Sequence, residues 1–198
     1  IGGESTRPGA MRITEEEELS RVIPVVRELT KQGAIVSIDT MRSGVARKAV
    51  EAGATYINDV SGGLADAQMH YVAAELGTKY ILMHWRGHSI DMNSKAVYND
   101  VVGEVKAELM EQVGKAQAAG IAKEKIILDP GIGFAKESEH NWELIHRITE
   151  IVDLGYPVLV GASRKRFLGG DLPLEREAAT LKITEDLLDT GIWGVRVH

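Results

Sequence analysis

Cysteine is absent from the 198 residues. That excludes a disulfide framework, a thiolate nucleophile and a thiolate metal cage, and it suits a cytosolic protein. No apolar run approaches the ~18 residues that a membrane helix needs. A basic excess is also missing: the net charge of -6 argues against a general nucleic-acid or anionic-membrane binder, whose footprint is a broad basic face. Any anion site must therefore be local. What the chain does have is apolar content, 44% of it, enough to bury a substantial core as a single domain over residues 1–198.

One pattern recurs six times along the sequence: an amphipathic stretch, a Gly, then a short run rich in Ile, Val, Leu and Tyr. The joints are KQGAIVSID, EAGATYIND, ELGTKYILMH, AAGIAKEKIILD, DLGYPVLVG and DTGIWGVRVH. Gly33, Gly53, Gly77, Gly120, Gly155 and Gly191 fall where a helix should end on a left-handed residue. Each run that follows suits a strand buried on both faces. Between joints, Thr14 and Glu17 spell a capping box, and Leu19, Val22, Ile23, Val26 and Leu29 form one apolar stripe, with a kink or late start expected at Pro24. A second stripe, over residues 95–119, carries Val97, Val101, Val105, Leu109 and Val113, and Ser138 is placed to cap a third helix, which bears Trp142, Ile145, Ile148 and Val152.

Alternating strand and helix implies parallel strands joined by right-handed crossovers. Polar residues end nearly every strand (Asp39, Asn58, His84, Asp129, Ser163, Arg196, His198), which favours a TIM (β/α)8 barrel over an open sheet with one switch point. The first residues, IGGESTRPGA, pass from an apolar position that is not Met into glycines, hydroxyls, Arg and Pro. They read as the top of a strand entering a polar loop. The chain is thus expected to be a fragment of a longer protein, lacking the first strand and helix, most of the second strand and the last helix.

Asp39 and Asp129 end apolar strands, as does Asn58. An isolated strand-end Asp equally suits a helix cap. Three such groups at equivalent positions suit a ligand rich in N–H donors, such as a 2-amino-4-oxo heterocycle. In VLVGASRKRF, one of Arg164, Lys165 and Arg166 should turn inward, and Lys165 is chosen, as donor to a ring atom or a phosphate. In GVRVH, period two places Gly194, Arg196 and His198 on one face, and Val195 and Val197 under the helices. Arg196 and His198 then suit a leaving pyrophosphate. Ser5, Thr6 and Arg7 suit a phosphate or carboxylate, on a loop that Pro8 and Gly9 let move as a lid. Phe134 offers an aromatic face. Met83 more often packs in a core than walls a ligand, His84 fits either, and the polar loop Trp85–Ser94 is long enough to be functional. His70, His140 and His146 are read as surface residues.

Taken in order and spacing, IGGESTRPGA, SIDT, YINDVSGG, ILMH, ILDPGIGFAK, GASRKRFLG and GVRVH resemble the dihydropteroate synthase family, over the whole chain. The resemblance implies a TIM barrel that joins para-aminobenzoate to 6-hydroxymethyl-7,8-dihydropterin pyrophosphate in folate biosynthesis. It implies a pterin pocket of Asp39, Asn58, Met83, Asp129, Gly161, Lys165 and Arg196. Pyrophosphate would be held by Thr6, Arg7, Arg196 and His198, and aminobenzoate by Pro8, Phe134 and Arg166, the last with its role open. Arg196, His198, Lys165, Thr6 and Arg7 would carry catalysis by positioning and electrostatics. Also implied are Mg²⁺, with no ligand assignable in this chain, a homodimer, and sulfonamides as inhibitors. Two alternatives stand beside it. A methyltetrahydrofolate-binding methyltransferase barrel leaves the STRPG loop and the SRK strand end unexplained, and a truncated, non-catalytic pterin-binding barrel is separated by turnover.

Overall fold

A computed structural model describes residues 1–5, 9–88 and 90–198. Thr6, Arg7 and Pro8, to which the sequence assigns pyrophosphate and aminobenzoate roles, lie outside the described residues. Strand and helix alternate: α1 (Glu15–Lys31), β1 (Ser37–Asp39), α2 (Ser43–Glu51), β2 (Tyr56–Asp59), α3 (Met69–Leu76) and β3 (Lys79–Met83) come first. Then follow α4 (Val101–Ala118), β4 (Ile126–Asp129), α5 (Ser138–His146), α6 (Thr149–Val152), β5 (Leu159–Val160), α7 (Glu177–Leu187) and β6 (Gly194–Val195). The six expected strands are all present at the six joints, and the six joint glycines all have φ between 60° and 110°. At Gly77 the left-handed residue closes α3 directly, a conformation that a Cβ would strain.

Pairing runs in sequence order, β1 to β4 in one parallel sheet and β5 with β6 in another. Single parallel bridges, Gly2 to Asp39 and Leu128 to Val158, extend that order at β1 and join β4 to β5. Sequential parallel order with a helix after each of β1 to β5 is the barrel order, and among the described residues no reversal makes a switch point.

The strands bury both faces, but against different things. Outward residues such as Ile38, Ile57, Tyr80, Leu82, Ile126 and Leu128 join Val22, Val26, Val45 and Leu109 of the helices in the main core. Ile81, Ile127 and Leu159 form a separate inner cluster with Tyr56. Strand period then fixes the function of the next inward position: two residues beyond this inner layer stand Asn58, Met83, Asp129 and Gly161. Asp39 is paired with Asn58 and Met83 with Asp129 in register.

Several local expectations are corrected. Thr14 Oγ1 accepts from the Glu17 N–H, but the Glu17 carboxylate pairs with Arg21 rather than returning to the cap, so the capping box is half-formed. Helix α1 runs through Pro24 from Glu15, without a late start. Val97 is 76% exposed, because α4 begins only at Val101. The cap of α5 is Glu137, with Ser138 as the first helical residue. Val195 packs on the core, whereas Val197 is 59% exposed.

Candidate active site

The inward layer closes through side chains. Asn58 Nδ2 donates to Asp39 Oδ2 at 3.0 Å, and its Oδ1 accepts from Arg196 Nη1 at 3.4 Å. Arg196 Nη2 stands 2.9 Å from Asp129 Oδ2. Asp129 is fully buried at the end of β4, and its Oδ1 accepts from the Gly131 N–H at 2.8 Å. Its Oδ2 has the ion pair but no directed hydrogen bond. A buried carboxylate oxygen held only by a partly exposed guanidinium keeps acceptor capacity for a further donor. Burial pushes the Asp39 carboxyl up to about 6, against the attraction of Arg196. Asp129 and Asp39 in turn hold the Arg196 guanidinium charged, above its ordinary value.

Two glycines make room for the cations. A Cβ on Gly161 would meet Arg196 Nη2 at 2.6 Å, so only a bare backbone lets the guanidinium lie across β5. Gly133, at φ +77°, would place a Cβ 2.8 Å from Lys165 Cδ. Lys165 alone of the three cations after β5 turns inward, as expected: its ammonium donates to the Ile132 carbonyl and sits 4.7 Å from the centre of the Phe134 ring. Burial lowers it to about 8 although Asp129 opposes the fall. Arg164 turns away to Glu177 at φ +56°, and Arg166 is exposed.

His198 is tied to the end of β5, its Nδ1 3.1 Å from Ser163 Oγ and its own N–H donating to the same oxygen at 3.3 Å. Glu4 gathers the base of the opening loop: it accepts from the Ile13 N–H at 3.2 Å and from Arg42 Nη1 at 2.9 Å, and pairs with Arg12 at 3.4 Å. A cleft at this end of the strands is lined by Glu4, Met41, Val60, Trp85, His88 and Phe134, which gives the Trp85–Ser94 loop a place in the site.

Met83 and His84 are both buried, and the His84 ring meets Glu108 at Nε2 and Lys136 at Nδ1, each at 2.9 Å. His70 is not a surface residue: it is buried with Nε2 3.1 Å from the Gly62 carbonyl and its ring edge-on to Tyr80. His140 receives the Glu137 N–H at its Nδ1, while His146 is exposed as read. Lys136, Glu108, Arg86 and Arg42 went unread in the sequence. Glu104 and Glu108, one helical turn apart beside the α4 stripe, were the available signal for two of the partners of Arg86.

The whole chain, residues 1–198, matches the family model for pterin binding enzymes. A dihydropteroate synthase of Mycobacterium leprae is 50% identical over 208 residues, covering 100% of this chain and 73% of the relative. The chain belongs to the dihydropteroate synthase family. Among solved structures, the Xanthomonas albilineans enzyme with 4-aminobenzoic acid superposes with a TM-score of 0.93 at 41% identity, over 100% of this chain and 72% of that one. The Yersinia pestis enzyme in complex with a sulfonamide drug gives 0.95 at 36% identity, over 99% and 72%. Family membership and these superpositions make the sequential parallel sheet a TIM barrel.

Proposed function

We propose that this protein is a dihydropteroate synthase, condensing para-aminobenzoate with 6-hydroxymethyl-7,8-dihydropterin pyrophosphate to give 7,8-dihydropteroate and pyrophosphate. The observation that carries the reading is the buried acceptor Asp129 Oδ2, held beside Arg196 in a ring with Asn58 and Asp39. Such a ring suits the amino and N–H edge of a pterin. Met83 and Gly161 line it from β3 and β5, and Lys165 supplies a cation to the ring edge.

The bond to pyrophosphate breaks to leave a pterin-stabilised methylene cation, which the aniline nitrogen attacks. No side-chain nucleophile takes part. Arg196 and His198, with Thr6 and Arg7, meet the growing negative charge of the leaving group, while Pro8, Phe134 and Arg166 shape the aminobenzoate side. Sulfonamides enter this reading as competitors of aminobenzoate. So do a cytoplasmic location and a homodimer. Among the described residues, no helix is long and apolar enough to cross a membrane. Mg²⁺ is proposed as the counter-ion of pyrophosphate. Among the described residues no group of three His, Asp or Glu side chains could hold it, so these residues do not fit a protein-built cage and no step is routed through it.

The test is pyrophosphate release from the dihydropterin pyrophosphate with aminobenzoate and Mg²⁺. Release that requires both substrates supports the synthase. Pterin binding without release makes the protein a binding barrel, and methyl transfer from methyltetrahydrofolate makes it a methyltransferase.

A further inference from the structure

Lys136 is an ammonium at the bottom of the β4–α5 loop, 9% exposed, with no carboxylate in direct contact. Its three donors are all engaged: the Gly131 carbonyl at 3.1 Å, the Phe134 carbonyl at 3.0 Å and His84 Nδ1 at 2.9 Å. A buried charge is costly, and a Met would fill the same volume more cheaply. The loop explains what the charge does. Gly131, Gly133 and Ala135 have φ of 68°, 77° and 48°, three left-handed residues in a span of five. The non-glycine among them, Ala135, is strained unless its surroundings hold it.

What holds it is a closed circuit. Because His84 Nδ1 accepts from the ammonium, Nε2 carries the proton and donates to Glu108. Glu108 is gripped by the Arg86 guanidinium, which lies 3.9 Å from the centre of the Tyr98 ring. The Tyr98 hydroxyl then donates to the Ala135 carbonyl at 2.9 Å, back on the loop where the circuit began. Arg86 also donates to the Val97 carbonyl at 2.7 Å, so both ends of the β3–α4 loop are fixed by the same groups. The two loops thus joined carry Trp85, His88 and Phe134 into one cleft.

We propose that Lys136 is a positioning residue for the aminobenzoate pocket: through the carbonyls of Gly131 and Phe134 and the His84 ring it holds Phe134 in place, without touching either substrate. The proposal rests on the synthase reading for the identity of that pocket. Burial lowers the Lys136 ammonium to about 7; Asp129 of β4 and Glu108 of α4 support the charge, while Lys165 and Arg86 oppose it.

The experiment compares the intact protein with K136M, which keeps the length and loses every donor, and with Y98F, which removes only the opposite end of the circuit. In K136M the KM for aminobenzoate should rise at least tenfold while the KM for the pterin pyrophosphate stays within twofold. Y98F should show the same split at about threefold. Amide exchange at Phe134, whose N–H bonds the Gly131 carbonyl, should quicken at least tenfold in K136M, whether or not turnover is seen. Unchanged exchange, an unchanged aminobenzoate KM in either variant, or an equal loss of both substrates overturns the role of Lys136. Absence of wild-type turnover, with the exchange effect intact, instead overturns the synthase reading.

Discussion

Arg196 and Asp129 form an ion pair at 2.9 Å in which the carboxylate side chain is 1% exposed and the guanidinium 37%. The asymmetry matters, because removing the exposed partner strands the buried one. Arg196→Ala should lose roughly 2–3 kcal/mol of stability, the low end for a broken buried pair since the guanidinium is partly solvated. Arg196→Ala with Asp129→Asn should recover about half of that loss, an order-of-magnitude expectation, since the fully buried carboxylate is no longer orphaned and only Asp39 is left without the guanidinium. Urea unfolding of the three proteins checks it, and a double variant no more stable than the single would contradict it. The same Arg196→Ala protein should lose pyrophosphate-dependent binding while a bare pterin still binds.

Gly161→Ala addresses the same guanidinium from below. The new methyl would stand 2.6 Å from Nη2, an atom at the far end of a flexible side chain, so Arg196 should move rather than the backbone. Turnover should fall at least tenfold, whereas stability should fall by only about 1 kcal/mol. A fully active, equally stable G161A would show that Arg196 need not lie across β5.

Asp39 should make pterin affinity depend on pH. Its carboxyl is raised to about 6, so below that value the protonated form predominates and the acceptor for a ligand N–H is lost. Affinity for a neutral pterin should therefore decline on acidification below pH 6, by up to about tenfold per unit, and titrations of Asp39→Asn should lack that slope. An identical slope in the variant would place the titrating group elsewhere.

His84 works in the other direction, on stability. Burial, with Lys136 adding to it, lowers its pKa from the usual range to about 4. Between about 6.5 and 4 the unfolded chain binds the proton and the native state does not, so this contribution is lost as pH falls through that window, by at most about 1.4 kcal/mol per unit. Asp39, raised to about 6 by burial, opposes it over part of the same range, since its native carboxyl takes the proton first. The single variant His84→Gln separates the two. Urea midpoints at pH 7 and pH 5 should show a smaller acid loss in the variant than in the wild type, and an equal loss would refute the buried neutral imidazole.

The barrel was legible because its signals are periodic. Runs buried on both faces, each opened by a left-handed Gly and closed by a polar residue, mark strand ends, and period two then sorts Asn58 from Asp59 and Asp129 from Leu128. Charges that serve the interior have no period. Lys136 follows a glycine-rich turn as any solvated Lys would, and only the folded loop reveals three acceptors around it. Buried Glu18 sits on an acidic first turn that reads as solvent, yet it faces Arg42. His70 was misread for the same reason: its partner is a backbone carbonyl, at Gly62, which no side-chain pattern can announce.

The bond from Arg196 to Asn58 joins positions 138 apart. On a chain made from its N-terminus, β1 to β4 can pair with their neighbours while the residues that follow are still being added, because each partner is adjacent in order. Asp39 and Asp129 are then in place without the guanidinium that pairs with them, and the interior between them is electrostatically unfinished. The later strand β6 leads into Arg196, which brings the cation. Closure of the ring around Asp129 therefore waits for β6, and a chain interrupted before that strand would have most of this sheet, with Asp39, Asn58 and Asp129 on it, but not the guanidinium that joins them.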